Sequence, residues 1–145
     1  VSIMEFRGKW TKLSNYSACT VWFEGHIYTS VEHAYQAQKS TDPAVQKVIR
    51  EAPTPAVAKR MARALPLRED WEEVKYGLML ELVRQKFCQE PERSILLATG
   101  YEHLIEGNWW HDNVWGNCSC GPCESIVGQN ALGTILMLVR DELRD

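Results

Sequence analysis

Ser30-Val31-Glu32-His33-Ala34-Tyr35-Gln36-Ala37-Gln38-Lys39 is the stretch on which the reading of this chain turns. Ser30 is placed to cap a helix, because its hydroxyl oxygen can accept from first-turn amides that have no carbonyl one turn back. Glu32 follows in that first turn, where the positive end of the helix favours a carboxylate. Val31, Ala34 and Tyr35, at i, i+3 and i+4, make one apolar face. Glu32, Gln36 and Lys39, at i, i+4 and i+7, make a second face carrying an acid, an amide and an amine. Such a face either meets water, which is its commoner use, or lines a cleft, and periodicity does not choose between them. The helix is expected over 31 to about 40.

Upstream, residues 1–29 read as strand and turn. The loose alternation of 1–6 gives way to turn chemistry at Arg7-Gly8-Lys9 and Leu13-Ser14-Asn15. Thr20-Val21-Trp22-Phe23 and His26-Ile27-Tyr28 flank Glu24-Gly25, a β-hairpin pattern with Gly where a positive φ is needed. Downstream, Asp42-Pro43 and Thr54-Pro55 each join a cap to a proline at the first helical position. They open helices to about residue 51 and over 56–65, the second ended by Pro66. Asp70 is placed to cap a longer helix from Trp71 to about Cys88, with Gly77 as a weak point. Pro91 opens a helix over 92–98, closed by Thr99-Gly100. From 101 to 128 the periodicity dissolves, apart from a short strand at Leu104-Ile105-Glu106, and a loop of that length is often functional. An apolar stripe at Leu132, Ile135, Leu136 and Val139 restores a helix over 130–143. The expected fold is α+β, a helix-rich single domain over 1–145 with a small β component.

Bulk composition agrees. The 145 residues are 45% hydrophobic and 24% charged, the profile of a globular protein able to bury its own core. No apolar run is of membrane-spanning length, and the start of the chain lacks the basic-then-apolar order of a signal peptide. A net charge of −3 argues against strong sequence-independent binding to a nucleic-acid backbone, leaving room for a local basic groove. Five cysteines, an odd number, fit a reducing compartment, so a cytoplasmic location is expected.

Several residues carry candidate chemistry, each with a plainer alternative. Cys118-x-Cys120-x2-Cys123 offers three thiols. Zinc usually takes four ligands, with His111 or Asp112 available as the fourth, and the plainer reading is a turn of small residues. His33 lies about 100° around the helix from Glu32, so the two do not form a dyad. Trp71 stands at a helix start after charged residues, as a staple or as an exposed plane for a flat ligand. Asp112, between Trp110 and Trp115-Gly116, is either a partly desolvated acid of the kind used in acid–base work or the cap of the following turn. No nucleophile elbow, phosphate loop or dinucleotide fingerprint is present.

Nine blocks then appear in order: Leu13-Ser14-Asn15; Ser30-x-Glu32-His33-x-x-Gln36-Ala37-x-Lys39; Arg68-x-x-Trp71; Met79; Lys86-Phe87; Leu97-x-Thr99-Gly100; Ile105-Glu106; Asp112-x-x-Trp115-Gly116; and Gly128-x-Asn130-x-Leu132-Gly133-x-x-Leu136-Met137-x-x-Arg140. Together they resemble the NADAR family, the YbiA-like N-glycosidases, from about residue 6 to 143. The resemblance implies a compact α+β domain that hydrolyses a ribosyl C1′–N bond. The substrates it implies are ribosylamino-pyrimidine phosphates of riboflavin synthesis or ADP-ribose joined to guanine. It puts the family's acid at Glu32, its lysine at Lys39, its second acid at Asp112 and its stacking tryptophan at Trp71. Ser14, Asn15, Trp115, Gly116 and Asn130 fall where a substrate pocket is expected. The departure is residues 117–127, where many relatives carry a glycine-rich loop and this chain has the cysteine run.

On that footing Glu32 would stabilise the oxocarbenium-like transition state and activate water. Asp112 would orient the ribose or serve as the second acid–base group. Lys39 would pair with Glu32, bind a phosphate or act as an amine nucleophile. Trp71 would stack on the base, worth roughly 1–3 kcal/mol. No metal or organic cofactor is called for, since water is the second substrate. The expected partner is a small nucleotide-like substrate or ADP-ribosylated guanine in nucleic acid, with no membrane. Two rival classes make different predictions: a non-hydrolytic ADP-ribose or nucleotide-binding module, and a zinc-stabilised interaction domain built on Cys118, Cys120 and Cys123.

Overall fold

The computed structural model describes residues 2–145. In chain order it contains β1 (Ser2–Ile3), a 3-10 turn (Gly8–Leu13), β2 (Val21–Phe23), β3 (His26–Tyr28), α1 (Val31–Ala37), α2 (Pro43–Arg50) and α3 (Pro55–Arg63). There follow α4 (Trp71–Phe87), α5 (Glu92–Ala98), β4 (His103–Leu104), β5 (Gly107–Asn108), β6 (Asn117–Cys118), a 3-10 turn (Gly121–Cys123) and α6 (Ala131–Arg144). The architecture is α+β and helix-rich, with strands in two-stranded ribbons. None of the described helices is long and apolar enough to cross a membrane. The chain forms two compact units: Asn15–Lys86, and the residues up to Ser14 together with Phe87–Asp145.

In the unit Asn15–Lys86, β2 and β3 pair antiparallel, with Val21 opposite Tyr28 and Phe23 opposite His26. Glu24 and Gly25 both take positive φ, +48° and +83°, as a two-residue turn matched to strand twist requires. The Gln85 side chain then completes the edge of β2, accepting from the Trp22 amide at 2.8 Å and donating to the Trp22 carbonyl at 2.7 Å. Asp42 and Thr54 cap α2 and α3 through bonds to the amides of Ala44 and Val57, with Pro43 and Pro55 at the first helical positions. Buried alanines, Ala34 and Ala37 on α1 and Ala58 and Ala62 on α3, keep the side chains between these neighbouring helices short. Gly77 does not interrupt α4. The Asp70 carboxylate, expected as its cap, is instead engaged by the Arg68 guanidinium at 2.6 and 3.1 Å. Its backbone carbonyl serves the helix, accepting from the Val74 amide at 3.1 Å.

In the other unit β1 runs parallel to β4, with Ile3 beside Leu104. Of the strand expected over 1–6, only Ser2–Ile3 forms, and Val1 lies outside the described residues. Leu96, Leu104, Leu132, Leu136 and Val139 are buried here, which is the apolar stripe of α6 meeting α5 and β4. The strand expected at 104–106 forms as His103–Leu104, with Ile105 and Glu106 outside it. The aperiodic segment is held together largely by asparagine side chains. Asn108 accepts from the Trp110 and Asp112 amides and donates to the Asp112 carbonyl at 2.8 Å. Asn113 accepts from the Cys118 amide at 2.9 Å, and Asn117 from the Gly128 amide at 2.7 Å. Side-chain amides thus supply the backbone partners that a wider sheet would have supplied.

Candidate active site

Helix α1 carries the first part of the site, and all seven of its residues are buried. The face of Glu32 and Gln36 is therefore not a solvated surface: Glu32 is 7% exposed and Gln36 2%. Three contacts fix the helix start. The Ser30 hydroxyl accepts from the His33 amide at 3.0 Å and lies 2.7 Å from His33 Nδ1. His33 Nε2 reaches the Ala52 carbonyl at 2.9 Å. The Glu32 amide donates to the Asn15 carbonyl at 3.2 Å. Gln36 Nε2 donates to Glu32 Oε2 at 2.6 Å, while Gln36 Oε1 is buried without a hydrogen-bond partner among the described residues. A buried acid thus stands beside an acceptor whose hydrogen-bonding capacity is unspent.

Lys39 is not on the helix with them. The last turn tightens, with the Gln38 and Lys39 amides bonding three residues back to Tyr35 and Gln36, and α1 ends at Ala37. Lys39 sits in the turn beyond, its carbonyl accepting from the Arg68 amide at 2.9 Å. That bond brings the Arg68-x-x-Trp71 segment alongside. Lys39 Nζ lies 5.6 Å from the centre of the Tyr35 ring and 5.9 Å from that of Trp71, within reach of both π faces. Burial is the largest cause holding its amine below the usual lysine range; Glu32 opposes this, and Lys59, Arg63 and Lys75 add to it. Glu32, Lys39 and Trp71 are therefore brought together in one unit, with Lys75 paired to Glu72 at 2.8 Å nearby.

Trp71 corrects an expectation. It is only 4% exposed and packs on Tyr35, ring centres 5.1 Å apart and tilted by 54°. Trp71 is therefore not an exposed plane at the helix start but a buried ring in contact with Tyr35. Asn15 is buried too, its Nδ2 donating to Met79 Sδ at 3.5 Å. Lys75, one helical turn after Trp71, was not singled out in the sequence. The i, i+4 spacing from Trp71 was the signal that could have found it.

The remaining expected residues belong to the other unit, and several are committed to scaffolding. Ser14 ends the 3-10 turn, its amide on the Thr11 carbonyl. Asp112 Oδ1 accepts from the Val114 and Trp115 amides at 3.1 and 2.9 Å, the turn-capping role. The Trp115 carbonyl accepts from the Leu132 amide at 3.0 Å. A β-carbon on Gly116 would overlap the Glu106 carbonyl oxygen and stand 2.8 Å from Asn108 Nδ2, so no other residue fits there without displacement. Asn130, in the left-handed region at φ +51°, bonds the Glu106 amide at 3.0 Å and the Leu104 carbonyl at 2.8 Å. Its side-chain oxygen and nitrogen thus each hold a backbone group of the loop. His111, left open as one of two possible fourth ligands, stands with the three cysteines: its Nδ1 lies 3.3 Å from Cys120 Sγ and 3.4 Å from Cys123 Sγ.

Glu32, Gln36 and Lys39 thus stand together in a helix-rich α+β chain. The NADAR domain model matches residues 5–144, and the chain belongs to the NADAR domain family. Among its relatives, N-glycosidase YbiA of Escherichia coli is 38% identical over 133 residues, 90% of this chain and 79% of that one. A riboflavin biosynthesis protein of Vibrio vulnificus is 38% identical over 136 residues, 92% of this chain but 35% of that protein. The NMR structure of Escherichia coli YbiA superposes with a TM-score of 0.81 at 36% identity, covering 99% of this chain and 85% of that one.

Proposed function

We propose that this chain is an N-glycosidase that hydrolyses the ribosyl C1′–N bond of a phosphorylated, ribosylated heterocycle. The observation that carries the reading is the buried Glu32–Gln36 pair beside Lys39. Departure of a base from C1′ builds positive charge on the ribose, and a preorganised carboxylate answers that charge. Gln36 Nε2 fixes the Glu32 carboxylate, so little reorganisation is needed when the charge develops. Water adds its oxygen to C1′ as the C1′–N bond breaks. One of its protons passes to Glu32 and from there to the departing nitrogen, so the base leaves protonated and the carboxylate is restored. Tyr35 and Trp71 wall the Lys39 amine, and this proposal gives Trp71 that task in place of an open stacking platform.

Lys59, Arg63 and Lys75, whose charges act on Lys39, suit an anionic substrate despite the overall charge of −3. The substrate classes are the ribosylamino-pyrimidine phosphates of riboflavin synthesis, which the name of the Vibrio relative supports, and ADP-ribosylated guanine, free or in nucleic acid. The experiment is incubation with one member of each class and mass-spectrometric detection of the released base and the ribose-containing product. Turnover of either that Glu32→Gln removes supports the proposal. Tight binding without turnover overturns it in favour of a binding module. Asp112, the second acid that the resemblance assigns, is tried in the same assay as Asp112→Asn, which keeps the acceptor its turn needs.

A further inference from the structure

Among the described residues, His111, Cys118, Cys120 and Cys123 are a group of metal-ligating side chains with all four ligand atoms within 4.8 Å of one another. The proposed reaction uses none of them. We propose that these four side chains bind one zinc ion in a closed Cys3His site that staples the 107–128 loop.

The geometry is close to what the ion needs. With Zn–S near 2.3 Å and Zn–N near 2.0–2.1 Å, a tetrahedral site holds its sulfurs about 3.8 Å apart and its nitrogen about 3.6 Å from each sulfur. His111 Nδ1 already stands 3.3 and 3.4 Å from two of the three sulfurs. The surroundings are those of thiolates. The His111 and Cys120 amides point at Cys118 Sγ, at 3.3 and 3.4 Å, and Asn113 Nδ2 points at Cys123 Sγ at 3.4 Å. A thiol is a weak acceptor, and three N–H groups aimed at two sulfurs are explained by anionic sulfur held in place by its outer partners. A turn of small residues accounts for the spacing but not for that aim. His111 also takes a positive φ of 70°, an uncommon conformation for a residue with a side chain. Asp112 lies outside this group of ligand atoms, and its Oδ1 caps the turn by accepting from the Val114 and Trp115 amides.

Four protein ligands fill a tetrahedral zinc, leaving no position for a catalytic water, so the ion is structural. Loading replaces the three thiol protons, which leave to solvent, and the site carries a net charge of −1. Affinity therefore falls as pH is lowered. The ligands span 111 to 123 and enclose Asp112 and Trp115, so the metal orders the segment that carries both. This inference stands apart from the glycosidase reading, because metal content is measured without substrate.

The test uses the whole chain, purified under reductant, stripped by chelator and reloaded with zinc or cobalt. One zinc per chain is expected by elemental analysis. Cobalt is expected to give thiolate charge-transfer absorption in the near ultraviolet and the intense visible bands of a tetrahedral ion. His111→Asn, which tolerates the positive φ, and Cys120→Ser should each weaken binding by more than about 100-fold. Cys19→Ser and Cys88→Ser should leave the stoichiometry at one, as should Asp112→Asn. Substoichiometric zinc after reloading, an octahedral cobalt spectrum, or a disulfide among the three cysteines under reductant overturns the proposal. Should Cys120→Ser fail to fold, the cobalt spectrum of the unaltered chain decides alone.

Discussion

Removing the Ser30 hydroxyl, as Ser30→Ala, strips two hydrogen bonds from the start of the helix that carries Glu32. The oxygen accepts from the His33 amide at 3.0 Å and lies 2.7 Å from His33 Nδ1. The Ala52 carbonyl can only accept, so Nε2 donates to it, and in the Nε2–H tautomer Nδ1 accepts from the Ser30 hydroxyl. Both Ser30 and His33 are buried, at 0% and 2% exposure, so bulk water does not take the place of the lost oxygen. Loss of an N-cap costs about 0.5–2 kcal/mol, and a buried acceptor left without a donor about 1–3 kcal/mol. Together they predict a destabilisation of about 1.5–5 kcal/mol, or a urea midpoint lower by about 0.8–2.5 M for a slope of about 2 kcal/mol per M. The assay is equilibrium urea unfolding of the wild type, Ser30→Ala, His33→Leu and the double variant, with a coupling energy above about 0.5 kcal/mol expected from the cycle. A loss below about 0.5 kcal/mol, or additive single effects, would refute the idea that this cap sets α1 in place.

Glu32→Gln keeps the side-chain volume and an oxygen for Gln36 but removes the charge, so kcat should fall about 100- to 1000-fold with KM little changed, as steady-state kinetics on the identified substrate would show. Lys39 has a folded-state pKa below 10.5, so the unfolded chain binds more protons there, and its contribution to stability grows as pH rises from the folded value toward 10.5. Lys39→Met should therefore be more stable than the wild type at neutral pH, with the gain shrinking at alkaline pH, while turnover is lost. Urea midpoints at the two pH values check the sign, and a gain that grows with pH would contradict it. Gly116→Ala forces a β-carbon toward the Glu106 carbonyl and should cost about 1–3 kcal/mol, read as a lower thermal midpoint with the same unfolded baseline.

Local signals read true where they were complete within a few residues. Pro43 and Pro55 behind Asp42 and Thr54, Ser30 before α1, and Glu24-Gly25 between β2 and β3 form as expected, because a cap or a tight turn closes its own hydrogen bonds. Asp70 did not, because Arg68, two residues earlier, competes for its carboxylate. The loop after Tyr101 was illegible for a different reason. Its order comes from Asn108, Asn113, Asn117 and Asn130 reaching backbone groups at separations up to 26 residues, and no periodicity encodes such bonds.

By itself the sequence determined the helix-rich α+β class, most element positions, the family and the identity of Glu32 and Lys39 as candidates, since caps, turns and motif order are properties of neighbouring residues. Only the tertiary structure decided that the polar face of α1 is buried, that Trp71 is buried in contact with Tyr35, and that His111 stands with the three cysteines while Asp112 caps a turn. Those outcomes depend on what distant segments place against each side chain: burial strips water from a charge and proximity selects its partner, and spacing along the chain carries neither.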